Sequence, residues 1–355
     1  MTVALLWSLF LVLPHLRGEA TILDRIEAPL ADLRFLVTGP RPAPADIVVV
    51  AIDDETVGAA GAYPLPRPVM ARLVRALLKT QPKAVALDVL FLDAGKTEVD
   101  ADLAAALGSG PTVVAMAAAF PRSALESRAS YGPFDNLPVA ERLLKPVEPI
   151  AGSTRLGLVN ISADHGGTPR HIPLLISADG TLHPALPLRV ASLVAGGKFE
   201  LARDQVQAGP IGTPVDLAAG LAIRFYGPQG SFRTVSAQAV LEGRAGDSLR
   251  DRIVIVGATA FGNGDTLPTP FDPVLPGVEL LATGIAHLTT GDALVRTTNV
   301  RRADAAVTLG LPALLVLMMA SRRVAIGLGL AALVLAGFCA AAIVLFTQGI
   351  WLAMA

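Results

Sequence analysis

Acidic and basic side chains follow or flank several predicted strands of this chain. Asp53 ends the run DIVVVAID and Asp54 follows it, Asp88 lies within AVALDVLF, and Arg67 opens the helix after the first strand. Ligands of open α/β sheets bind at the carboxyl ends of the strands. A guanidinium at a helix start can also hold an anion. These residues are candidate ligand contacts; the alternative is that Asp53 and Asp88 cap turns and Arg67 pairs with one of them.

Phosphate-loop and metal chemistry have little support. The glycine-rich run 257–265, GATAFGNGD, lacks the residue order of either common phosphate-binding loop. His165 and His171 have no cysteine or second histidine at ligand spacing, and His183 and His287 are isolated. The sequence contains neither a GxSxG nor an HExxH motif. We therefore predict no metal site and no cofactor.

The elements that would position these residues alternate strand and helix. Residues 46–53 and 84–91 are β-branched apolar runs, and 67–79 has apolar residues at helical spacing. This order predicts a βαβ unit with strands buried on both faces. We therefore expect Asp53 and Asp88 on adjacent parallel strands, at the same edge of one sheet.

The rest of the domain continues this pattern. Strands are predicted at 112–119, 156–161, 171–177, 221–226 and 252–258, and helices at 98–107 and 184–195. Asp179 and Gly180 make a turn. Residues 121–152 are rich in Pro, Ser and Arg and are predicted to be a loop. The fold class is α/β, with a largely parallel or mixed sheet and transmembrane α-helices in addition.

A last helix of the domain is predicted at 276–290. Pro276 fits its first turn and Gly291 its end. Only residues 292–304 join this helix to the apolar segment that follows. A movement of the helix would therefore be transmitted to the membrane-spanning segment. We expect it to be the transmitter of the domain.

Two apolar segments are predicted to cross a membrane. The chain of 355 residues is 52% hydrophobic and 17% charged, with a mean hydropathy of +0.56. Residues 324–347 carry no charge and are long enough to span a bilayer, although a buried core helix is the alternative. Residues 305–320 form a second span, which tolerates Pro312.

The turn between these spans predicts the orientation. It contains only Ser321, Arg322 and Arg323, and a short basic turn favours the cytoplasm. Residues 21–300 are then extracytoplasmic, because long translocated segments largely escape the charge rule. The prediction is a multi-pass protein of the inner membrane.

Both ends of the chain are apolar. Residues 1–20 are predicted to be an uncleaved membrane anchor, with a cleaved signal peptide as the alternative. Residues 348–355 read as the start of a further, truncated span. Cys339 is the only cysteine, so the outer domain has no disulfide framework. The net charge is −1 with no basic block, which gives nucleic-acid binding no electrostatic support.

An ordered set of motifs runs through residues 20–300. It comprises VVVAIDDET at 48–56, YPLPR at 63–67, Asp88 with Phe91, Gly157 to Asn160, IVIVGATAFGNGD at 253–265, Thr269 to Phe271, and Pro276 to Glu279. In this order the chain resembles the type-two CHASE domain, an extracellular sensory domain found with cyclases and histidine kinases. Two departures are a glycine in place of a second carboxylate after Asp164, and Leu281 where the family often has histidine.

The resemblance implies a sensor function. Candidate ligand-binding residues are Asp53, Asp54, Arg67, Asp88, Asn160, Asp164, Arg170 and Asp265. The implied protein is a membrane-bound homodimer that binds an extracytoplasmic ligand or partner protein and drives a cytoplasmic cyclase or histidine kinase, which this sequence lacks. The alternatives are a hydrolase-like enzyme built on Asp53, Asp54 and Asp88, and a membrane-anchored assembly protein.

Overall fold

The computed structural model describes residues 2–17, 22–120, 128–262, 264–319 and 324–354. Its helices are α1 Thr2–Arg17, α2 Ile22–Thr38, α3 Asp54–Ala60, α4 Arg67–Lys79, α5 Thr97–Gly108, α6 Ile150–Ser153, α7 Leu186–Val194, α8 Ala237–Leu241, α9 Gly277–Thr290, α10 Thr298–Met319 and α11 Val324–Thr347. Its strands are β1 Ile47–Ile52, β2 Ala84–Leu87, β3 Thr112–Ala119, β4 Arg128–Tyr131, β5 Phe134–Pro138, β6 Arg142–Leu144, β7 Arg155–Leu158, β8 Ser162–Ala163, β9 Pro169–Pro173, β10 Leu175–Ala178, β11 Thr181–Pro184, β12 Glu200–Ala202, β13 Gln205–Ala208, β14 Ile211–Pro214, β15 Gly220–Ala222, β16 Arg233–Ser236, β17 Ile253–Ala258, β18 Thr266–Leu267 and β19 Leu275–Pro276.

The main sheet is mixed, as predicted. Its order is β16-β1-β17-β2-β3, with β7 and β6 along the outer side of β3, and only β6 runs antiparallel. Strand β17 lies between β1 and β2, because Val256 is opposite both Val50 and Leu87. The prediction that β1 and β2 are adjacent is therefore wrong. A βαβ crossover sets the hand of the connection and leaves room for a later strand between its two strands.

Helices cover both faces of this sheet. Helices α4, α5 and α8 pack on one face, where Met70, Leu73 and Leu77 of α4 are buried at helical spacing. Helices α7 and α9 pack on the other face. Leu281 of α9 joins this core, whereas Leu280 faces a second core, so that α9 is buried on all sides.

The second core lies between the main sheet and the membrane helices. It is built from the small antiparallel sheets β8–β9–β15 and β12–β13–β14, with the hairpin β10–β11. The turn of this hairpin is at Asp179 and Gly180, as predicted, and both residues have positive φ. Phe35 of α2 and Phe346 of α11 pack into the same core.

Several element predictions need correction. Residues 128–152 are not a loop: they contain the hairpin β4–β5, strand β6 and the start of α6. Phe134 and Leu137 are buried there, and the polar composition of the segment concealed them. The predicted strand 171–177 is two strands, β9 and β10, which pair with different partners. Residues 121–127 lie outside the described residues.

Helices α10 and α11 are long and apolar enough to cross a membrane, and only 11% of each apolar window is buried within the protein. Helix α11 has the predicted bounds, whereas α10 begins before the predicted residue 305. Helix α1 packs along α10. The basic turn around Arg322 lies outside the described residues. Residues 350–354 are not helical, and Ile350 forms a β-bridge with Val295; the further span beyond 348 stays a prediction.

Candidate functional site

Three carboxylates lie at the carboxyl edge of the main sheet. Asp54 follows β1 and opens α3, Asp88 follows β2, and Asp265 lies just before β18. We call these three residues the carboxylate rim. The register places Asp88 beside Gly257 of β17, since Leu87 is opposite Val256. The three carboxylates, which are far apart in the sequence, therefore meet at one edge of the sheet.

Asp88 is the most perturbed member of the rim. It is partly buried, and its carboxylate accepts no hydrogen bond from the described residues. Desolvation, together with the negative charge of Asp265, raises the pKa of Asp88 to about 7. Burial and the same two carboxylates raise the pKa of Tyr63. Asp88 therefore exchanges its proton near neutral pH, and a positive group bound nearby would favour its ionised form.

Exposed apolar side chains border the rim. The backbone N–H of Phe261 donates a 3.2 Å hydrogen bond to Asp54 Oδ1, and the Phe261 ring is 94% exposed. Tyr63 is 40% exposed, and Leu90, just after Asp88, is 39% exposed. The edge thus combines negative charge with apolar surface.

The first turn of α9 is hydrogen-bonded to a residue of the rim. The N–H of Gly277 donates a 2.8 Å hydrogen bond to the carbonyl of Asp265. Gly257 faces the helix so closely that an added Cβ would lie 2.6 Å from Val278 Cβ and 3.4 Å from Asp88 Cβ. Glycine at this position lets α9 start directly against β17.

Two of the predicted site residues are engaged in local structure. Asp53 caps α3, accepting hydrogen bonds from the Thr56 N–H at 2.9 Å and hydroxyl at 2.6 Å. Burial opposes ionisation of Asp53, but these hydrogen bonds outweigh it and hold its pKa below the ordinary value. Arg67 pairs with Asp100 and donates to the carbonyl of Asp93. Asp53 therefore has the capping role given above as the alternative to ligand binding. Arg67 pairs with Asp100, and not with Asp53 or Asp88 as that alternative expected.

The remaining predicted residues lie away from the rim. Asn160 clamps β3, since its amide donates to the carbonyl of Ala118 at 2.8 Å and accepts from the Ala118 N–H at 2.7 Å. Arg170 donates to Asp164 at 2.8 Å and lies 2.6 Å from Asp32 of α2. Asp164 and Arg170 therefore join the second core to helix α2.

A group of buried charges that sequence reasoning missed lies where the domain meets the membrane helices. We call it the basal network; its members are Glu27, Arg34, Asp216, Arg296, Arg301 and Asp304. Asp216 accepts from Arg301 Nε at 2.6 Å and Nη2 at 2.7 Å. Burial alone would raise the pKa of Asp216, but His171 and Arg301 hold it far below the ordinary value.

The other acids of the basal network also have arginine partners. Arg296 lies 2.9 Å from Asp304, and Arg34 is paired with Glu27. The signal in the sequence was the presence of Arg301 and Asp304 at the head of an otherwise apolar helix. Charges at such a position rarely persist without partners.

A second missed cluster ends helix α9. Buried His287 contacts Asp292 through Nδ1 at 2.7 Å, and its Nε2 accepts from the Arg224 N–H at 3.1 Å. Asp292 is also paired with Arg41 and accepts from the Tyr226 hydroxyl at 2.9 Å. Burial lowers the pKa of His287. His287, isolated in the sequence, therefore ties the end of α9 to the segment that follows α2.

These features define a membrane-tethered α/β domain. One buried helix, α9, connects the carboxyl edge of its main sheet with the membrane helices. The CHASE2 domain family matches residues 3–321 of the chain. The chain therefore belongs to the CHASE2 family of extracellular sensory domains. No curated protein and no solved structure matches it.

Proposed function

We propose that this chain is the extracytoplasmic sensor module of a membrane-bound signalling protein. The carboxylate rim binds the ligand, and α9 transmits the change to α10 and so to a cytoplasmic output such as a cyclase or histidine kinase. The observation that carries this proposal is the course of α9. It begins at Gly277, which is hydrogen-bonded to Asp265, and ends at Thr290, and only residues 291–297 separate it from α10.

The chemistry of the rim favours a cationic ligand with an apolar part. Asp88 and Asp265 repel each other, and a bound cation would relieve that repulsion. The exposed Phe261 and Tyr63 offer aromatic faces for the apolar part and for cation–π contacts. Binding would therefore depend on both the charge and the apolar surface of the rim.

Transmission requires two arrangements of α9 with different ligand affinity. The helix has 14 residues and is about 20 Å long. It is packed between two cores, so a shift at its first turn cannot be absorbed locally. The His287–Asp292 pair carries such a shift to the segment ahead of α10.

We further propose that residues 21–300 lie outside the cytoplasm, in a multi-pass protein of the inner membrane. The bridge between Val295 and Ile350 brings the start of α10 and the end of α11 to the same side, as expected of two spans joined by a short turn. The basic residues Arg322 and Arg323 of that turn favour the cytoplasm, which would place the opposite ends of both spans outside. Reporter fusions after residues 150 and 322 test it. A reporter that is active in the cytoplasm at residue 150 would contradict the topology.

Glycine insertion tests the transmission step. Three glycines after Gly291, in the protein with its natural output domain, should change basal output and abolish its response while the thermal stability of the outer domain is retained. The same insertion after Gly197, in the exposed turn that follows α7, is the control and should leave output unchanged. Unchanged output after the Gly291 insertion would instead favour the assembly-protein alternative.

Small organic cations test the ligand site. Spermidine and choline, titrated against the full chain in detergent, should raise the melting temperature of the wild type. The double variant Asp88→Asn with Asp265→Asn should lose this rise, whereas Asp102→Asn, at an exposed surface pair, should keep it. A rise of equal size in the double variant would exclude the rim as the binding site.

A further inference from the structure

Helix α2 exposes a row of large apolar side chains and buries two charged ones. Its large apolar side chains at 22, 26, 33, 36 and 37 are each more than half exposed and share one face. We call these the apolar stripe; they are Ile22, Ile26, Leu33, Leu36 and Val37. On the opposite face, Glu27 is 7% exposed and Arg34 is 1% exposed. A helix with this distribution is suited to an apolar surrounding on its outer side.

The hydrogen bonds of residues 352–354 fix the level of α2. The N–H of Ala353 donates to Asp304 Oδ1 at 2.9 Å, at the polar head of α10. The N–H of Met354 donates to Glu27 Oε2 at 2.7 Å, and Arg34 Nη1 donates to the carbonyl of Leu352 at 2.6 Å. Two turns of α2 are thus held near the point where α10 becomes uncharged.

The ends of α11 and α1 lie at the same level. Phe35 stacks edge-on against Phe346 in the last turn of α11, with ring centroids 4.8 Å apart. Near the end of α1, His15 Nε2 lies 3.3 Å from Asp304 Oδ2. Only residues 18–21 separate α1 from α2. Helix α2 therefore lies where all three apolar helices leave the membrane, with its stripe facing outward.

We propose that α2 lies in the membrane–water interface and inserts the apolar stripe into the lipid surface. The partner is the bilayer itself, since α2 is held at the level where α10 becomes uncharged and where α11 ends. The stripe contains no basic residue, and Asp24, Arg25, Glu27, Asp32 and Arg34 give α2 no positive excess. Insertion therefore depends on apolar burial and does not require anionic lipid.

This site also connects the bilayer with the sensor domain. Asp32 of α2 pairs with Arg170, which is held in turn by Asp164 of the second core. A change in the depth of α2 in the lipid would therefore change the distance between Asp32 and Arg170. The proposal concerns α2 alone and does not depend on ligand binding at the carboxylate rim.

Site-directed spin labelling tests the insertion. The sole cysteine, Cys339, is replaced by serine, and single cysteines are placed at Ile26, Leu33 or Val37 of the full chain. The control is a cysteine at Glu55, which is 59% exposed in the outer domain. Each protein is labelled with a nitroxide and reconstituted in phosphatidylcholine vesicles, with and without phosphatidylglycerol.

At the stripe, oxygen should relax the nitroxide more effectively than a water-soluble nickel chelate, and at residue 55 this order should reverse. Added phosphatidylglycerol should leave the stripe values unchanged. High nickel accessibility at all three stripe positions would overturn the proposal by placing α2 in water. Low accessibility to both reagents, with dipolar broadening between labels, would overturn it in favour of a contact with a second copy of the chain.

Discussion

The carboxylate rim and the basal network use the same residue types in opposite ways. Within the described residues, no lysine or arginine lies within ion-pair distance of a rim carboxylate, whereas each acid of the basal network has an arginine partner. The pKa of Asp88 is raised to about 7, and that of Asp216 is held far below the ordinary range. Both groups are desolvated, so the difference lies in the partner.

This difference separates a binding surface from a structural joint. Buried pairs with complete hydrogen bonding hold elements in one arrangement, since removal of either partner leaves a charge uncompensated. Neighbouring carboxylates without such partners cost stability, and that cost is recovered when a ligand binds. We therefore propose that the rim binds the ligand and that the basal network attaches the domain to α10.

The largest expected effect comes from breaking a basal pair. Asp216→Asn removes the charge that balances Arg301 and should lower the free energy of unfolding by about 3–5 kcal/mol. In the wild type this stabilisation is present above pH 4 and is lost as the pH falls towards the depressed pKa of Asp216. Denaturant unfolding of the full chain in detergent at pH 7 measures it. A change below about 1 kcal/mol would show that the pair is not a structural joint.

A smaller effect is expected where α9 meets the rim. Gly257→Ala places a Cβ against Val278 and should cost about 1–3 kcal/mol, because neither the strand nor the helix can move freely. Gly58→Ala is the matched control, since nothing lies within 4 Å of its added Cβ; in helix α3 it should be neutral or stabilising. Equal melting temperatures for the two variants would contradict the close contact between α9 and β17.

Removing the charge of Asp88 should stabilise the protein. The folded pKa lies above the ordinary value of 3.8, so the wild type loses stability as the pH rises from about 4 to 7. Asp88→Asn should raise the free energy of unfolding at pH 8 by about 1–2 kcal/mol, allowing for solvent screening, and leave it unchanged at pH 4. Asp265→Asn should flatten the same pH profile in part. A uniform change at both pH values would instead indicate altered packing.

The smallest effect is expected from an exposed pair. The side chains of Arg75 and Asp102 are 42% and 50% exposed, on α4 and α5. Asp102→Asn should leave the free energy of unfolding almost unchanged, and added salt should remove most of any small difference. A larger loss would mean that pairing alone, without burial, accounts for the stability assigned to the basal network.

Local pattern was enough to predict many elements. The helix at 67–79, the strand at 112–119 and the apolar helix at 324–347 have the bounds expected from periodicity and composition. Residues 128–152 were predicted poorly, because their short strands are polar and depend on distant partners for pairing. The position of Asp88 at the carboxyl edge of the sheet was also predicted, since it follows a buried parallel strand; its role in ligand binding stays a prediction.

By itself, the sequence determined the α/β class, the apolar helices and the end of the sheet at which Asp54 and Asp88 lie, because these follow from spacing along one segment. Only the tertiary structure decided that β17 enters between β1 and β2, and that Asp265 therefore faces Asp88. It also decided that Asp216 is paired with Arg301, whereas Asp88 has no lysine or arginine partner among the described residues. Strand order and charge pairing depend on contacts between distant segments, which packing of the whole chain selects and local periodicity does not encode.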